Sequence, residues 1–253
     1  MKISVLTAVH SGARPFLASA YASLAAQHLP EGWEWEWCVQ EDGDTVDSAS
    51  VLPTPLDPRI HIAAARGGGP AVTRTMALAR STGSLIRVLD ADDELTAGAL
   101  ARDIEVLTSH QEIGWTTCRV VDLLPDGSTV GFEGDPAPGV IAQGEVLTHW
   151  REHRRPQVHP ATLCARRDLV MALGGWLAIP ASEDTGLLTA LSVIAPGWFH
   201  PETGLRYRKH PGQTTNDPAH KEGAEWSARM RMIQDRADAL RNVMHLNADR
   251  MEP

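Results

Sequence analysis

The chain has 253 residues, 43% hydrophobic and 22% charged, a composition that supports a sizeable buried core and excludes a disordered or coiled-coil chain. Acidic residues outnumber basic ones 32 to 23, for a formal net charge of −9, which argues against a general nucleic-acid binder because that role needs a basic surface to displace counterions. Three widely spaced cysteines, Cys38, Cys118 and Cys164, form no CxxC pair, which argues against a disulfide framework or zinc site and fits a reducing compartment.

The amino-terminal segment lacks a signal-peptide apolar region, and the stretch from Thr185 to Pro201 falls short of the roughly 20 apolar residues a spanning helix needs. A soluble, cytoplasmic protein without a transmembrane segment is expected.

In chain order, Lys2 to Val9 is apolar and rich in β-branched residues, which predicts a buried strand. Pro15 to Gln27 predicts a helix, with Phe16, Ala20, Leu24 and Gln27 at helical spacing and Pro15 in the first turn. Trp33 to Gln40 alternates Trp33, Trp35, Trp37 and Val39 with Glu34, Glu36, Cys38 and Gln40, which predicts a strand with one apolar face. Glu41-Asp42-Gly43-Asp44 ends it. Arg59 to Ala65 is a further strand, closed by Arg66-Gly67-Gly68-Gly69-Pro70. Ala71 to Arg80 is a helix, and Ser84 to Leu89 a strand ending at Asp90.

About the first 95 residues thus read β-α-β-(α)-β-α-β, the alternation of an α/β protein with a mostly parallel sheet flanked by helices. In such sheets ligands bind beyond the carboxyl ends of the strands. His10, Ser11, Glu41, Asp42, the glycine run and Asp90 to Asp93 all fall there.

The second half is less regular. Helices are expected at Ala97–Ser109, Gly144–Arg155, Asp168–Leu173 and Glu183–Ile194. Trp115–Leu124 and Thr129–Phe132 read as a hairpin, Glu133–Gly139 as a loop, Ala161–Arg166 as a strand and Leu205–His210 as an extended segment. From Lys221 to Asp249, Trp226, Met230, Ile233, Ala237, Leu240 and Met244 mark a C-terminal amphipathic helix, which would cover the domain or form a homodimer seam.

Asp90-Ala91-Asp92-Asp93 holds several carboxylates together at a strand end, where they repel unless a cation or proton compensates. Mg²⁺ and Mn²⁺ favour such oxygen ligands, usually with substrate phosphates; the plainer reading is a solvated turn capping the next helix. Glu41-Asp42-Gly43-Asp44 is a turn, or a carboxylate site for a base or ribose. Gly67 to Arg74 is a flexible loop, or a phosphate-approaching helix start with Arg74 one turn in. Glu183 and Asp184 alone read as helix N-terminal acids. His159 and Cys164 read as packing residues, and Arg151, His153, Arg154 and Arg155 as a solvated helix end.

In combination these pieces resemble glycosyltransferase family 2, of the soluble, non-processive type, with the GT-A fold. The matching segments are Ile3-Ser4-Val5-Leu6-Thr7, Glu41-Asp42-Gly43-Asp44, Gly69-Pro70-Ala71-Val72-Thr73-Arg74 and Leu89-Asp90-Ala91-Asp92-Asp93. Ser182-Glu183-Asp184 after Gly174-Gly175-Trp176 resembles the family's acidic catalytic motif, and Tyr207-Arg208-Lys209-His210-Pro211-Gly212-Gln213 its late basic segment. The resemblance covers about residues 2 to 215. His10-Ser11 and Thr75 depart from the family pattern, and no Gln-x-x-Arg-Trp motif of processive synthases is present.

The resemblance implies a metal-dependent inverting transferase that moves a sugar from a UDP- or dTDP-type nucleoside-diphosphate sugar to an acceptor hydroxyl. Thr7 and Asp42 or Glu41 would hold the nucleoside, Arg74 the nucleotide, Asp90 and Ala91 the ribose or phosphate, and Arg208 would neutralise phosphate. Asp92, with Asp90 and His210, would bind Mn²⁺ or Mg²⁺. Asp184 would be the general base, with Glu183 as second choice. Residues 1–95 would form the nucleotide-sugar half, 96–218 the acceptor and base half, and 219–253 the C-terminal helix. A non-catalytic nucleotide-sugar-binding module and a sugar-phosphate nucleotidyltransferase are the alternatives.

Overall fold

The computed structural model describes residues 1–45, 47–216 and 220–249. In chain order the elements are β1 (Lys2–Val9), α1 (Leu17–Ala25), β2 (Glu34–Asp42), β3 (Ile60–Ala65), α2 (Gly69–Arg80), β4 (Leu85–Val88), β5 (Glu94–Leu95) and α3 (Ala99–Ser109). They continue with β6 (Trp115–Leu123), β7 (Thr129–Gly131), β8 (Gly139–Ile141), α4 (Glu145–His153), β9 (Cys164–Arg166), α5 (Arg167–Ala172), α6 (Glu183–Ile194), β10 (Gly197–Arg208) and α7 (Gly223–Asp249).

One mixed sheet runs β3-β2-β1-β4-β9-β6-β10-β5, with β7 beside β6 and β8 beside β10. The first four strands in that order are parallel, whereas β9 lies antiparallel to both β4 and β6. After β1 the chain moves outward to β2 and β3, then returns to place β4 on the other side of β1. The crevice between the carboxyl ends of β1 and β4 is therefore the topological switch point.

Three packed layers hold the sheet. Leu17, Leu24, Trp37, Leu100 and Ile104 bury one face under α1 and α3. Leu78, Trp115, Leu187, Leu191 and Phe199 bury the other under α2 and α6. Outside α6, Ile233 and Ala237 of α7 pack with Leu147, Trp150 and Val193, joined by Met230 and Leu240. The apolar stripe predicted for the last helix thus lies on α4 and α6 of its own chain. Residues 219 and 250–253 of the expected C-terminal segment lie outside the described residues.

Several local expectations change. The polar side of β2 is not solvated: Glu36, Cys38 and Gln40 are all buried, because β2 sits between β1 and β3 with α2 against it. Around Pro15 the chain forms a 3₁₀ turn, Arg14–Phe16, before α1 begins. β10 starts at Gly197 rather than Leu205, since its first residues pair with both β6 and β8.

At the amino ends of β1, β2 and β4, Glu36 is fully engaged. It accepts from the Ser4 hydroxyl at 2.6 Å, from the Thr82 amide at 2.6 Å and hydroxyl at 2.8 Å, and from Lys2 Nζ at 3.3 Å. Gly83 permits this closure, for a Cβ there would lie 2.7 Å from the Lys2 carbonyl. Among the described residues no helix is long and apolar enough to cross a membrane.

Candidate active site

A cavity of about 490 Å³ opens at the switch point, within the range of small-molecule sites. Val9 and His10 reach it from the end of β1, Asp42 from β2, and Asp90, Ala91 and Asp92 from β4. Arg74 of α2, Glu183 and Asp184 of α6, and Tyr207 of β10 complete its walls with His159 and Lys221.

Asp42 Oδ1 accepts from the amides of Gly68 at 2.7 Å and Gly69 at 3.2 Å. The amides that open α2 thus hold a carboxylate of the chain itself, favoured by the helix dipole. Gly69 has φ of +79°, a left-handed conformation suited to glycine. Glu41, the adjacent acid, is buried and turned away. It accepts from the Asp47 and Ser48 amides and pairs with Arg14 at 3.3 Å, outside the cavity lining.

Arg74 is the hub. Its Nη2 donates to Asp90 Oδ1 at 2.5 Å and its Nη1 to Glu183 Oε1. Burial opposes its charge, yet the carboxylates of Asp90, Glu183 and Asp184 outweigh that penalty and raise its pKa. Burial drives the Glu183 carboxyl up to about 7 against the pull of Arg74, and the charge of Asp184 adds to the rise. Ser182, which leads into α6, has φ of +63° without being glycine, a strained entry that sets where the two acids point.

The Asp-Ala-Asp-Asp turn divides its acids among different tasks. Asp90 is paired with Arg74. Asp92 Oδ2 lies 2.9 Å from His210 Nε2, whose ring packs on Phe16 with centroids 4.6 Å apart. Asp93 is fully buried, and burial together with Asp90 and Asp92 pushes its pKa well up; Oδ1 accepts from the Arg208 amide at 2.9 Å. Arg208 spends its guanidinium on the Asp92 carbonyl at 2.8 Å and Glu94 at 2.5 Å, and does not line the cavity.

The expected site residues therefore separate. Asp42, Arg74, Asp90, Ala91, Asp92, Glu183 and Asp184 meet around one cavity, and His210 joins through Asp92. Thr7 does not line it: fully buried, its hydroxyl donates to the Leu89 carbonyl at 2.6 Å and accepts from Trp37 Nε1 at 2.8 Å. His159, Tyr207 and Lys221 line the cavity without having been singled out as ligands. Only the irregular second half brings His159 there, and a histidine before a proline carries no local signal.

The donor chemistry suits a hard divalent cation. Asp92 and His210 offer an adjacent oxygen and nitrogen, a partial set of the kind that substrate phosphates complete. Asp90 differs from its expected share in such a site, since one oxygen is given to Arg74. Among the described residues no three His, Cys, Asp or Glu side chains cluster as a self-sufficient metal cage.

The family profile described as Glycosyl transferase family 2 matches residues 4–125. A search of curated proteins finds no significant match. Among solved structures, TarS 1-349 of S. aureus in complex with UDP-GlcNAc is similar over 95% of this chain and 70% of its own, at 16% identity and a TM-score of 0.71. The same protein in complex with UDP gives 15% identity, the same two coverages and a TM-score of 0.65. At that identity the likeness speaks to the fold. Residues 4–125 thus match the profile of glycosyl transferase family 2, and the chain as a whole has the mixed α/β architecture of the GT-A fold.

Proposed function

We propose that the protein is a metal-dependent, inverting glycosyltransferase that moves a sugar from a UDP- or dTDP-type nucleoside-diphosphate sugar to an acceptor hydroxyl. The observation that carries this reading is the placement of Asp92, paired with His210, and of Asp184 around the same cavity. The ligands of the TarS structures, UDP and UDP-GlcNAc, agree with a uridine donor. Residues 1–95 form the donor half and 96–218 the acceptor and base half, and residues of both line the cavity.

In this reading Asp42 and Asp90 face the nucleoside and its ribose, and Asp92 with His210 holds Mn²⁺ or Mg²⁺. A cation held there would supply Lewis-acid stabilisation of the charge on the departing diphosphate. Arg74 holds Glu183 and Asp90 in place, so Glu183 is committed to an ion pair. Asp184, beside it, is the acid left to take the proton of the acceptor hydroxyl as that oxygen attacks the anomeric carbon. One displacement with one base inverts that carbon.

Thermal-shift measurements with UDP and dTDP, with and without Mn²⁺, test the donor site. Stabilisation that requires both nucleotide and metal is expected. Indifference to both nucleotides overturns the reading, and binding without transfer to any acceptor reduces it to a binding module.

A further inference from the structure

His159 belongs to neither the acidic motif nor the basic segment, yet it lines the cavity from a short 3₁₀ turn, Pro160–Thr162. Its two ring nitrogens face different surroundings. Nδ1 accepts from the Ala161 amide at 3.3 Å, capping that turn. An accepting Nδ1 carries no proton, so the neutral ring bears its hydrogen on Nε2. Burial lowers the pKa of the ring and keeps it neutral, although Asp184 and Asp90 pull the other way. No described residue bonds to Nε2, and the ring is backed by Tyr207 with centroids 5.0 Å apart.

Asp184 and Asp90 line the same cavity as this ring. In the proposed function Asp90 marks the nucleotide side and Asp184 the face from which the acceptor attacks. The transferred sugar has to sit between them. A fixed, neutral N–H donor on the cavity wall that both carboxylates also line suits a sugar hydroxyl, which accepts a hydrogen bond without needing a counter-charge.

We propose that His159 is a donor-sugar recognition residue that gives its Nε2–H to a hydroxyl of the transferred sugar while its Nδ1 caps the turn beneath. This rests on the nucleotide-sugar reading of the cavity.

Two substitutions separate the cap from the sugar contact. Asparagine matches histidine out to Nδ1: His159→Asn keeps a capping acceptor and loses the reach of Nε2. Glutamine places an amide N–H where Nε2 stands: His159→Gln keeps the reach and loses the cap. Calorimetry with Mn²⁺ measures the affinity of wild type and both variants for UDP, UDP-glucose, UDP-galactose, UDP-GlcNAc, dTDP and dTDP-glucose. For the best sugar nucleotide, His159→Asn is expected to weaken binding about tenfold, the loss of one buried hydrogen bond, with its bare diphosphate changed less than twofold. His159→Gln is expected to stay within about threefold of wild type for both. The reverse ranking makes His159 a structural cap and overturns the proposal, as does equal weakening toward sugar nucleotide and bare diphosphate. Failure of the wild type to bind any of the nucleotides overturns the underlying reading of the cavity and the inference with it.

Discussion

The two ends of the parallel strands treat their acids in opposite ways. At the amino ends the buried carboxylate of Glu36 is met by hydroxyls, amides and a lysine, and its pKa falls to about 2 although burial acts against this. At the carboxyl ends, Asp90, Asp92, Glu183 and Asp184 crowd one cavity with Arg74 as their principal cation, and Glu183 rises to about 7. The first arrangement satisfies a charge within the chain. The second leaves negative charge unsatisfied, which is what a site for a cation and a polar substrate requires. On the proposed function, fold stability and chemistry fall to opposite edges of the sheet, at the amino and carboxyl ends of its parallel strands.

The largest expected effect tests the chemical edge. Asp184→Asn should lower transfer on the order of 10²–10⁴-fold, as measured by steady-state kinetics, with the melting temperature unchanged or slightly higher. Near-normal turnover would erase the distinction between the edges. Next, Arg74→Met leaves Asp90 and Glu183 facing each other without their shared cation. Breaking such a buried pair should cost about 3–5 kcal/mol in urea unfolding; a loss below about 1 kcal/mol would show that the acids relax without it. At the other edge, Glu36→Gln should cost about 1–3 kcal/mol while leaving nucleotide affinity unchanged.

The smallest effect is the pH dependence, and the two edges should differ in sign. Glu36 has a folded pKa of about 2 against an ordinary 4.5, so the unfolded chain binds more protons between these values. Its stabilisation is lost as pH falls from about 4.5 toward 2. Glu183 has a folded pKa of about 7 against 4.5, so the folded chain binds the extra proton and stability declines as pH rises from about 4.5 to 7. Melting curves across this range should show Glu36→Gln flattening the acid slope and Glu183→Gln the neutral one. A common response would mean that the edges are not electrostatically distinct.

Most of the parallel half was legible because its signals are local. The β-branched run Lys2–Val9 is β1 to the residue, and in the second half the same holds for Glu183–Ile194, which is α6 to the residue. What escaped depends on remote partners. Nothing near Glu36 announces that Ser4 and Thr82 will cover it, and alternation alone assigns its side of β2 to solvent. β8 has three residues, too few to show a period, and exists through its pairing with β10. In the site, the motif residues of the second and fourth strands reach the cavity, while Glu41 and Arg208 are diverted by Arg14 and Glu94, neighbours that spacing cannot reveal.

α6 has almost no face of its own toward solvent. Nine of its residues, including Glu183, are buried between the sheet and the outer α4–α7 layer. A helix wedged in this way is expected to stay in place through a catalytic cycle, and its central amides should exchange with deuterium only when the whole domain opens. The proposed base, Asp184, would therefore keep a fixed address, and on that reading substrate entry and product exit are expected to be timed by the loops around the mouth. Rates set by those loops can change while the chemical groups stay where the helix holds them.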